Sequence, residues 1–258
     1  MDSSSFEVQL NEARDKFQTG LGRIVQVSTF TIYARIVFGT HKGRDNFLRD
    51  YSTEQIRGFI AIFPDLQEYI DKHGPREGYW RWTRSLPRKT NRLLYQQLVV
   101  FLVTIFEAFI ADILILVFRK EPGCLSSGSV MPLEEIIELG DYDSVINYIA
   151  TQRAANVLSG DWYKIVKEFN KLFNIDLSTD IEEKSVAEIF EIRHAVVHNV
   201  AQADQRFINK VGASEWGLRY SLNREIVINQ GTLDRMIAHV TFIADLVHES
   251  LLNKFGKS

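Results

Sequence analysis

The sequence contains little of what several classes of protein require. With one cysteine, Cys124, among 258 residues, it cannot form an internal disulfide and offers no cysteine cluster for zinc. Its 5 prolines and 15 glycines exclude a collagen-like or low-complexity chain. The formal net charge of −3, from 30 basic and 33 acidic residues, excludes a generally basic protein that coats nucleic acid, but it allows a local basic patch. The whole sequence is 45% hydrophobic and 24% charged, a composition that is typical of a globular protein.

The first residues, Met-Asp-Ser-Ser-Ser-Phe, lack the basic and apolar regions of a signal peptide, so a cytoplasmic protein is expected. One apolar run, residues 98–118, is long enough to cross a bilayer. Glu107 and Asp112 lie near its middle, and each would cost about 2.5–3.5 kcal/mol on insertion. A helix that is apolar on nearly all sides is also typical of the centre of a soluble bundle. We therefore predict a buried central helix and no membrane partner.

The hydrophobic spacing along the chain predicts an all-α protein with a small β-hairpin near the C-terminus. Helices are expected over residues 6–27, 56–63, 66–73, 89–120, 132–151, from 161, from 179 and over 232–255. Residues 29–38 are β-branched and aromatic and do not distinguish strand from helix. Gly74-Pro75 is expected to break the chain, and alternation over residues 218–228 predicts the hairpin.

A basic and aromatic segment, residues 76–92, comes after the Gly-Pro break. It holds six basic residues, one acid and three aromatic side chains. Surfaces that bind single-stranded nucleic acid use basic side chains to contact the phosphates and aromatic side chains to stack on the bases. The alternative is a solvated linker whose aromatic side chains pack on the protein. If the first interpretation holds, the residues expected to contact RNA are Arg81, Trp82, Arg84 and Arg88.

The helix expected after residue 179 places an arginine among apolar residues. At about 100° per residue, Arg193 lies within about 60° of six apolar side chains. They are Val186, Ile189, Phe190, Val196, Val197 and Val200. A desolvated guanidinium costs several kcal/mol unless it is paired. The position of Arg193 therefore has three possible explanations: a functional site, a structural ion pair with Glu107 or Asp112, or a side chain that extends to water.

Two histidines, His194 and His198, share one face of the same helix because they are four residues apart. Such a pair could bind a metal or move protons near neutral pH. The adjacent glutamate of a metalloprotease helix is missing, and no other histidine or cysteine is near in sequence. We therefore expect no metal and no cofactor.

These residues carry a family resemblance. The segment 191–199, EIRHAVVHN, resembles the R-x(4–6)-H motif of HEPN domains, and more narrowly that of RiboL-PSP-type HEPN proteins. Residues 105–112, IFEAFIAD, are similar to the F-E-x-F helix that precedes the motif in that family. The resemblance covers residues 91–258 as a HEPN-like domain. Residues 1–90 form a helical region of unknown role.

The resemblance implies a helical bundle of HEPN type that dimerises and places the Arg and His of both protomers in one cleft. It implies a metal-independent endoribonuclease, of a kind that includes toxins and phage-defence effectors neutralised by an antitoxin or regulatory protein. By position, Arg193 and His198 would be catalytic, His194 and Asn199 would be supporting polar residues, and Glu107 would orient Arg193. A non-catalytic module that binds RNA, a nucleotide or a partner protein is the alternative.

The residue types suit RNA cleavage. The 2′-hydroxyl attacks the adjacent phosphorus, a base takes its proton, and an acid protonates the leaving 5′-oxygen to give a 2′,3′-cyclic phosphate. Histidine suits both proton transfers, and a bidentate guanidinium suits the charge on the phosphorane. On a straight helix, however, Arg193 and His198 point about 140° apart and lie about 7.5 Å apart along the axis. Residues acting from opposite protomers would remove this difficulty.

Overall fold

The computed structural model describes residues 3–38, 65–125, 131–175, 177 and 180–256. Within them the protein is helical, with one pair of two-residue strands, which confirms the all-α class with a small β element. The helices are α1 (Ser3–Phe38), α2 (Asp65–His73), α3 (Pro75–Lys120), α4 (Leu133–Leu139), α5 (Tyr142–Leu158), α6 (Trp162–Phe173), α7 (Asp180–His198), α8 (Gln205–Val211) and α9 (Gln230–Phe255). The strands are β1 (Gln202–Ala203) and β2 (Arg224–Glu225), and Pro122–Leu125 forms a 3₁₀ turn. The helix expected over residues 56–63 lies outside the described residues.

The chain divides into two compact units. One comprises Met1–Ile24 with Gln96–Ser258, and the other comprises Val25–Tyr95. These units differ from the two segments expected on either side of residue 90, and that domain boundary stays a prediction.

The helix α3 begins earlier than predicted. Gly74 adopts a φ of 79° and ends α2, but Pro75 starts the next helix at once. Proline suits the first helical position because the amide hydrogen it lacks would have no partner there. A Cβ on Gly78 would lie 2.4 Å from the carbonyl oxygen of Tyr69, so glycine permits this close helix corner. The basic segment 76–92 is therefore helical, and the prediction that the helix starts at residue 89 is wrong.

The apolar part of α3 contributes to the core of its unit. Leu102, Phe106 and Ile110 are among its fully buried side chains. Within the described residues, the segment Arg92–Lys120, with a mean hydropathy of 2.6 in its most apolar window, is long and apolar enough to span a membrane. Half of that window is buried in the protein. This burial is compatible with the predicted central helix of a soluble bundle.

The first helix packs on this core with the face that its spacing predicts. Phe6, Leu10, Phe17 and Leu21 are at most 5% exposed. The ring of Phe17 lies 5.0 Å from that of Phe109, measured between centroids. The helix continues to Phe38, so the backbone of residues 29–38, which the sequence left undecided, is helical.

Residues 132–151 form two helices rather than the one predicted. Gly140 ends α4 with a φ of 78°, and Asp141 caps α5 by accepting a hydrogen bond of 2.9 Å from the backbone N–H of Ser144. An aspartate at this position satisfies an amide that has no partner within the helix, so it starts a new helix. The predicted start of α6 after Asp161 and the predicted closing helix are both confirmed.

The strand pair joins two segments that are distant in sequence. Gln202 pairs with Glu225 and Ala203 with Arg224 in antiparallel register, and α8 lies between the strands in the chain. The second strand lies within the predicted residues 218–228, while its partner comes from the end of α7. The small β element is therefore present, but it is not a local hairpin within residues 218–228.

A buried carboxylate, that of Glu188 on α7, fixes the connection after α8. It accepts hydrogen bonds from the hydroxyls of Ser214 and Tyr220, each at 2.5 Å, and from the backbone N–H of Glu215 at 2.8 Å. Burial raises the pKa of Glu188, and these hydrogen bonds oppose the rise. The contacts attach residues 214–220 to the helix that carries Arg193.

Candidate functional site

A cavity of about 730 Å³ lies between α3, the end of α5, α7 and α8. This volume is within the range of about 300–1,000 Å³ that is typical of small-molecule sites. The side chains that line it are of three kinds. Basic groups are Arg193, His194, Arg206 and Lys210; acids are Glu107, Asp161 and Glu191; small or apolar residues are Ala108, Ala111, Ala155, Leu158, Ser159, Gly160 and Phe190.

Arg193 lies in the wall of the cavity with few partners. Its side chain is 34% exposed, and its Nη2 is 3.8 Å from Oε2 of Glu107, too far for a hydrogen bond. Its Nε is buried and has no hydrogen-bond partner within the described part of the chain. Of the two acids expected to pair with it, Glu107 makes this loose contact and Asp112 instead lies 3.8 Å from Lys16. Within the described residues, the loose ion pair with Glu107 is therefore the contact that holds the guanidinium.

The proximity of Arg193 also affects Glu107. Burial raises the pKa of the Glu107 carboxyl, and the guanidinium partly offsets this. Because burial has the larger effect, the contact with Arg193 does not fully replace the stabilisation that water would give the ionised carboxylate. The pair is thus a weak structural ion pair.

Four of the six apolar residues around Arg193 belong to the core, and two are exposed. Val186, Ile189, Phe190 and Val196 are at most 9% exposed. Val197 is 50% exposed and Val200 is 84% exposed. The last turn of α7 and the turn that follows it therefore each present an apolar side chain to solvent.

His194 and His198 meet, with ring centroids 4.6 Å apart. His194 lines the cavity, whereas His198 is exposed and is not among the lining side chains. Burial lowers the pKa of His194, and the positive charge of Arg206 and the neighbouring His198 lower it further. His194 is therefore neutral near pH 7. The described residues contain no group of three or more His, Cys, Asp or Glu side chains placed to hold a metal ion.

Asn199 connects the end of α7 to the start of α8. Its amide Nδ2 donates to Oδ2 of Asp204 at 2.6 Å, and Oδ1 of Asp204 accepts from the backbone N–H of Phe207 at 2.7 Å. Val200 and Ala201 between them have φ values of 51° and 59°. A β-branched residue rarely adopts a positive φ, and holding a non-glycine residue in this conformation costs about 1–3 kcal/mol of conformational free energy. The backbone of the turn between α7 and α8 is therefore strained.

Four charged lining residues were not identified as site residues from the sequence: Asp161, Glu191, Arg206 and Lys210. Oε1 of Glu191 lies 2.7 Å from Nζ of Lys210, and its Oε2 lies 3.7 Å from Nη2 of Arg206. Lys210 also lies 3.3 Å from Asp161, the residue that caps α6. A usable signal was the spacing of Arg206 and Lys210, four residues apart directly after the capping residue Asp204.

The residues predicted to contact RNA from the basic segment lie on the first half of α3. Arg81 is exposed, and its Nε donates to Oε1 of Glu77 at 2.8 Å, one turn away. The side chains of Trp82, Arg84 and Arg88 lie outside the described residues. Their expected role stays a prediction.

In comparisons with known proteins, no family model, no curated protein and no solved structure matches the chain.

Proposed function

We propose that this protein is a metal-independent endoribonuclease that works as a homodimer and leaves 2′,3′-cyclic phosphate ends. The observation that carries the proposal is the guanidinium of Arg193, which lies in the wall of a cavity that His194 also lines, with its Nε buried and unpartnered within the described residues. The HEPN resemblance of residues 91–258 supplies the reaction. A role as a toxin or phage-defence effector rests on that resemblance alone.

Each polar group has a task in this proposal. Arg193 donates to the non-bridging phosphate oxygens, whose charge grows as the 2′-oxygen attacks. His198 takes the proton of the attacking 2′-hydroxyl and, once protonated, gives a proton to the leaving 5′-oxygen, and its exposed position makes it accessible to an RNA strand. The ring of His194 lies 4.6 Å from that of His198 between centroids, so His194 can position that ring. Glu107 limits the movement of Arg193 through its loose ion pair.

The wild-type protein tests this proposal directly. Purified protein incubated with total RNA in EDTA is expected to yield fragments with 2′,3′-cyclic phosphate and 5′-hydroxyl ends. End-group analysis by phosphatase and polynucleotide kinase treatment identifies both. A chelator that stops the reaction, or products with 5′-phosphate ends, would contradict the metal-independent transesterification.

The homodimer explains two features of the site. Arg193 lies in the cavity wall and His198 lies outside it, so one chain does not bring both to the same surface. Near His198 in the sequence, Val197 is half exposed and Val200 is mostly exposed. A second copy of the chain could cover these apolar side chains. In a symmetric pair the same surface meets itself, and Arg193 of one protomer can face His198 of the other.

A mixing experiment separates a shared site from a site within one chain. Arg193→Ala and His198→Ala proteins, unfolded and refolded together in equal amounts, are expected to regain about a quarter of wild-type activity. Half of the dimers are then mixed, and one of the two sites in each is intact. The separately refolded variants are the controls. Absence of any recovery, with mixed dimers verified by mass spectrometry, would exclude a site shared between protomers.

The arrangement of charges favours a second candidate, a module that binds RNA or a nucleotide without cleaving it. Glu191 and Asp161 neutralise part of the positive charge in the cavity, and His198 is not among its lining residues. A wild-type protein that binds RNA but releases no fragments would support this candidate over the nuclease.

A further inference from the structure

Besides Arg193, a pair of cations lines the cavity. Arg206 and Lys210 lie one turn apart on α8, so both reach the cavity from the same helix face. Their side chains are 48% and 37% exposed. They are therefore accessible from solvent while also lining the cavity.

Glu191 keeps these cations in place without using all of their donors. Its carboxylate is 10% exposed and contacts Lys210 at 2.7 Å and Arg206 at 3.7 Å. An ammonium has three donors and a guanidinium has five. Glu191 and Asp161 occupy two donors of Lys210, and the contact to Arg206 is longer than a hydrogen bond. Donors of both cations therefore remain for an anion.

The other lining residues are small or apolar. Ala108 and Ala111 from α3 and Ala155 and Leu158 from α5 line the cavity together with the cations, and Ser159 and Gly160 continue this lining. Short side chains leave a space with apolar surface, as a sugar and a base require, next to charges that suit a phosphate. The third acid, Glu107, lies 3.8 Å from the guanidinium of Arg193, whose positive charge partly offsets its own.

We propose that this cavity binds one nucleotide of an RNA strand, with its phosphate on Arg206 and Lys210 and its nucleoside against Ala108, Ala111, Ala155 and Leu158. The inference rests on the proposed function in taking RNA as the ligand, and it adds a phosphate-binding pair, Arg206 and Lys210, to the cavity that Arg193 also lines. Glu191 is a positioning residue that orders the two cations before the phosphate arrives.

The test measures binding without cleavage. The probe is a fluorescently labelled RNA oligomer with 2′-fluoro groups, which lacks the attacking hydroxyl, and anisotropy gives its Kd. Lys210→Gln and Arg206→Gln are each expected to weaken binding about tenfold, which corresponds to about 1.4 kcal/mol, because each removes a charged donor to the phosphate. Each variant should also lower the slope of log Kd against log salt by about one phosphate contact.

Controls separate this effect from misfolding and from general charge. Lys167→Gln removes an exposed lysine of α6 that does not line the cavity, and it should leave the Kd unchanged. Thermal unfolding verifies that each variant is folded. Because Lys210 makes the shorter contact to Glu191, Arg206→Gln keeps the test informative if Lys210→Gln does not fold.

The subsite and the nuclease can fail independently. A wild type that cleaves RNA while folded Lys210→Gln and Arg206→Gln bind the probe as tightly as wild type would overturn the subsite and leave the nuclease standing. A wild type that never cleaves, but whose probe binding weakens in both variants, would support the subsite and reject the nuclease. A loss of affinity in Lys167→Gln as large as in the cavity variants would also overturn the subsite.

Discussion

Replacing Arg193 with alanine is expected to lower the rate of RNA cleavage by about 10²- to 10³-fold without unfolding the protein. Loss of one donor that stabilises a developing oxyanion has an effect of this size. The cost to stability should be small, because the ion pair with Glu107 is 3.8 Å long and a third exposed on the arginine side. The measurement is kcat on a defined RNA oligomer, together with the urea midpoint of unfolding.

Two further variants give this experiment its controls. Arg193→Lys keeps the charge but loses the planar bidentate donors, so it should recover only a small part of the activity. Arg219→Ala removes an exposed arginine outside the cavity and should leave kcat unchanged. If Arg193→Ala cleaves RNA at the wild-type rate, Arg193 has no part in the reaction and the proposed site is wrong.

The position of Arg193 could be anticipated from the sequence, but its surroundings could not. Helical periodicity placed it beside Phe190 and Val196, and both are buried. The same periodicity placed Val197 and Val200 on this apolar face, yet Val197 is 50% exposed, and Val200, which lies beyond the end of α7, is 84% exposed. A hydrophobic pattern reports which residues share a face. Whether another element covers that face depends on tertiary packing.

The helix boundaries show a similar limit. A proline after a glycine predicted a break at Gly74-Pro75, and the chain does turn there, but Pro75 also starts a helix of 46 residues. Between residues 132 and 151 the pattern stayed helical across Gly140, where the positive φ and the Asp141 cap start a new helix. Local signals thus identified the turning points, whereas capping and packing decided which element the chain forms after each turn.

The grouping of charges in the cavity depends on contacts between residues from different helices, which the sequence pattern does not report. Glu191, Arg206 and Lys210 come from two helices, and sequence spacing alone relates only the last two. The pairing of His194 with His198 was predictable from their separation of four residues, and their rings do meet. That His194 rather than His198 lines the cavity is a consequence of where α3 and α8 lie against α7.

Replacing Trp162 with alanine is expected to destabilise the protein by about 3–5 kcal/mol, the usual cost of removing a large aromatic side chain from a core. Trp162 is fully buried, and its ring lies 5.6 Å from Phe106 and 5.9 Å from Phe190 between centroids. These rings join α3, α6 and α7, three of the elements next to the cavity. The measurement is the free energy of unfolding in urea, followed by circular dichroism at one fixed protein concentration.

The phenylalanine variant separates packing from hydrogen bonding. The indole Nε1 of Trp162 is buried with no hydrogen-bond partner in the described part of the chain, so Trp162→Phe loses no hydrogen bond and removes an unsatisfied donor. It should cost less than about half as much as alanine, because most of the aromatic volume is retained. Tyr163→Ala, 47% exposed at the next position, is the matched control and should cost about 0.5 kcal/mol or less. A Trp162→Phe protein as unstable as Trp162→Ala would mean that the indole N–H is hydrogen-bonded, and the aromatic cluster would then not be what holds these three helices together.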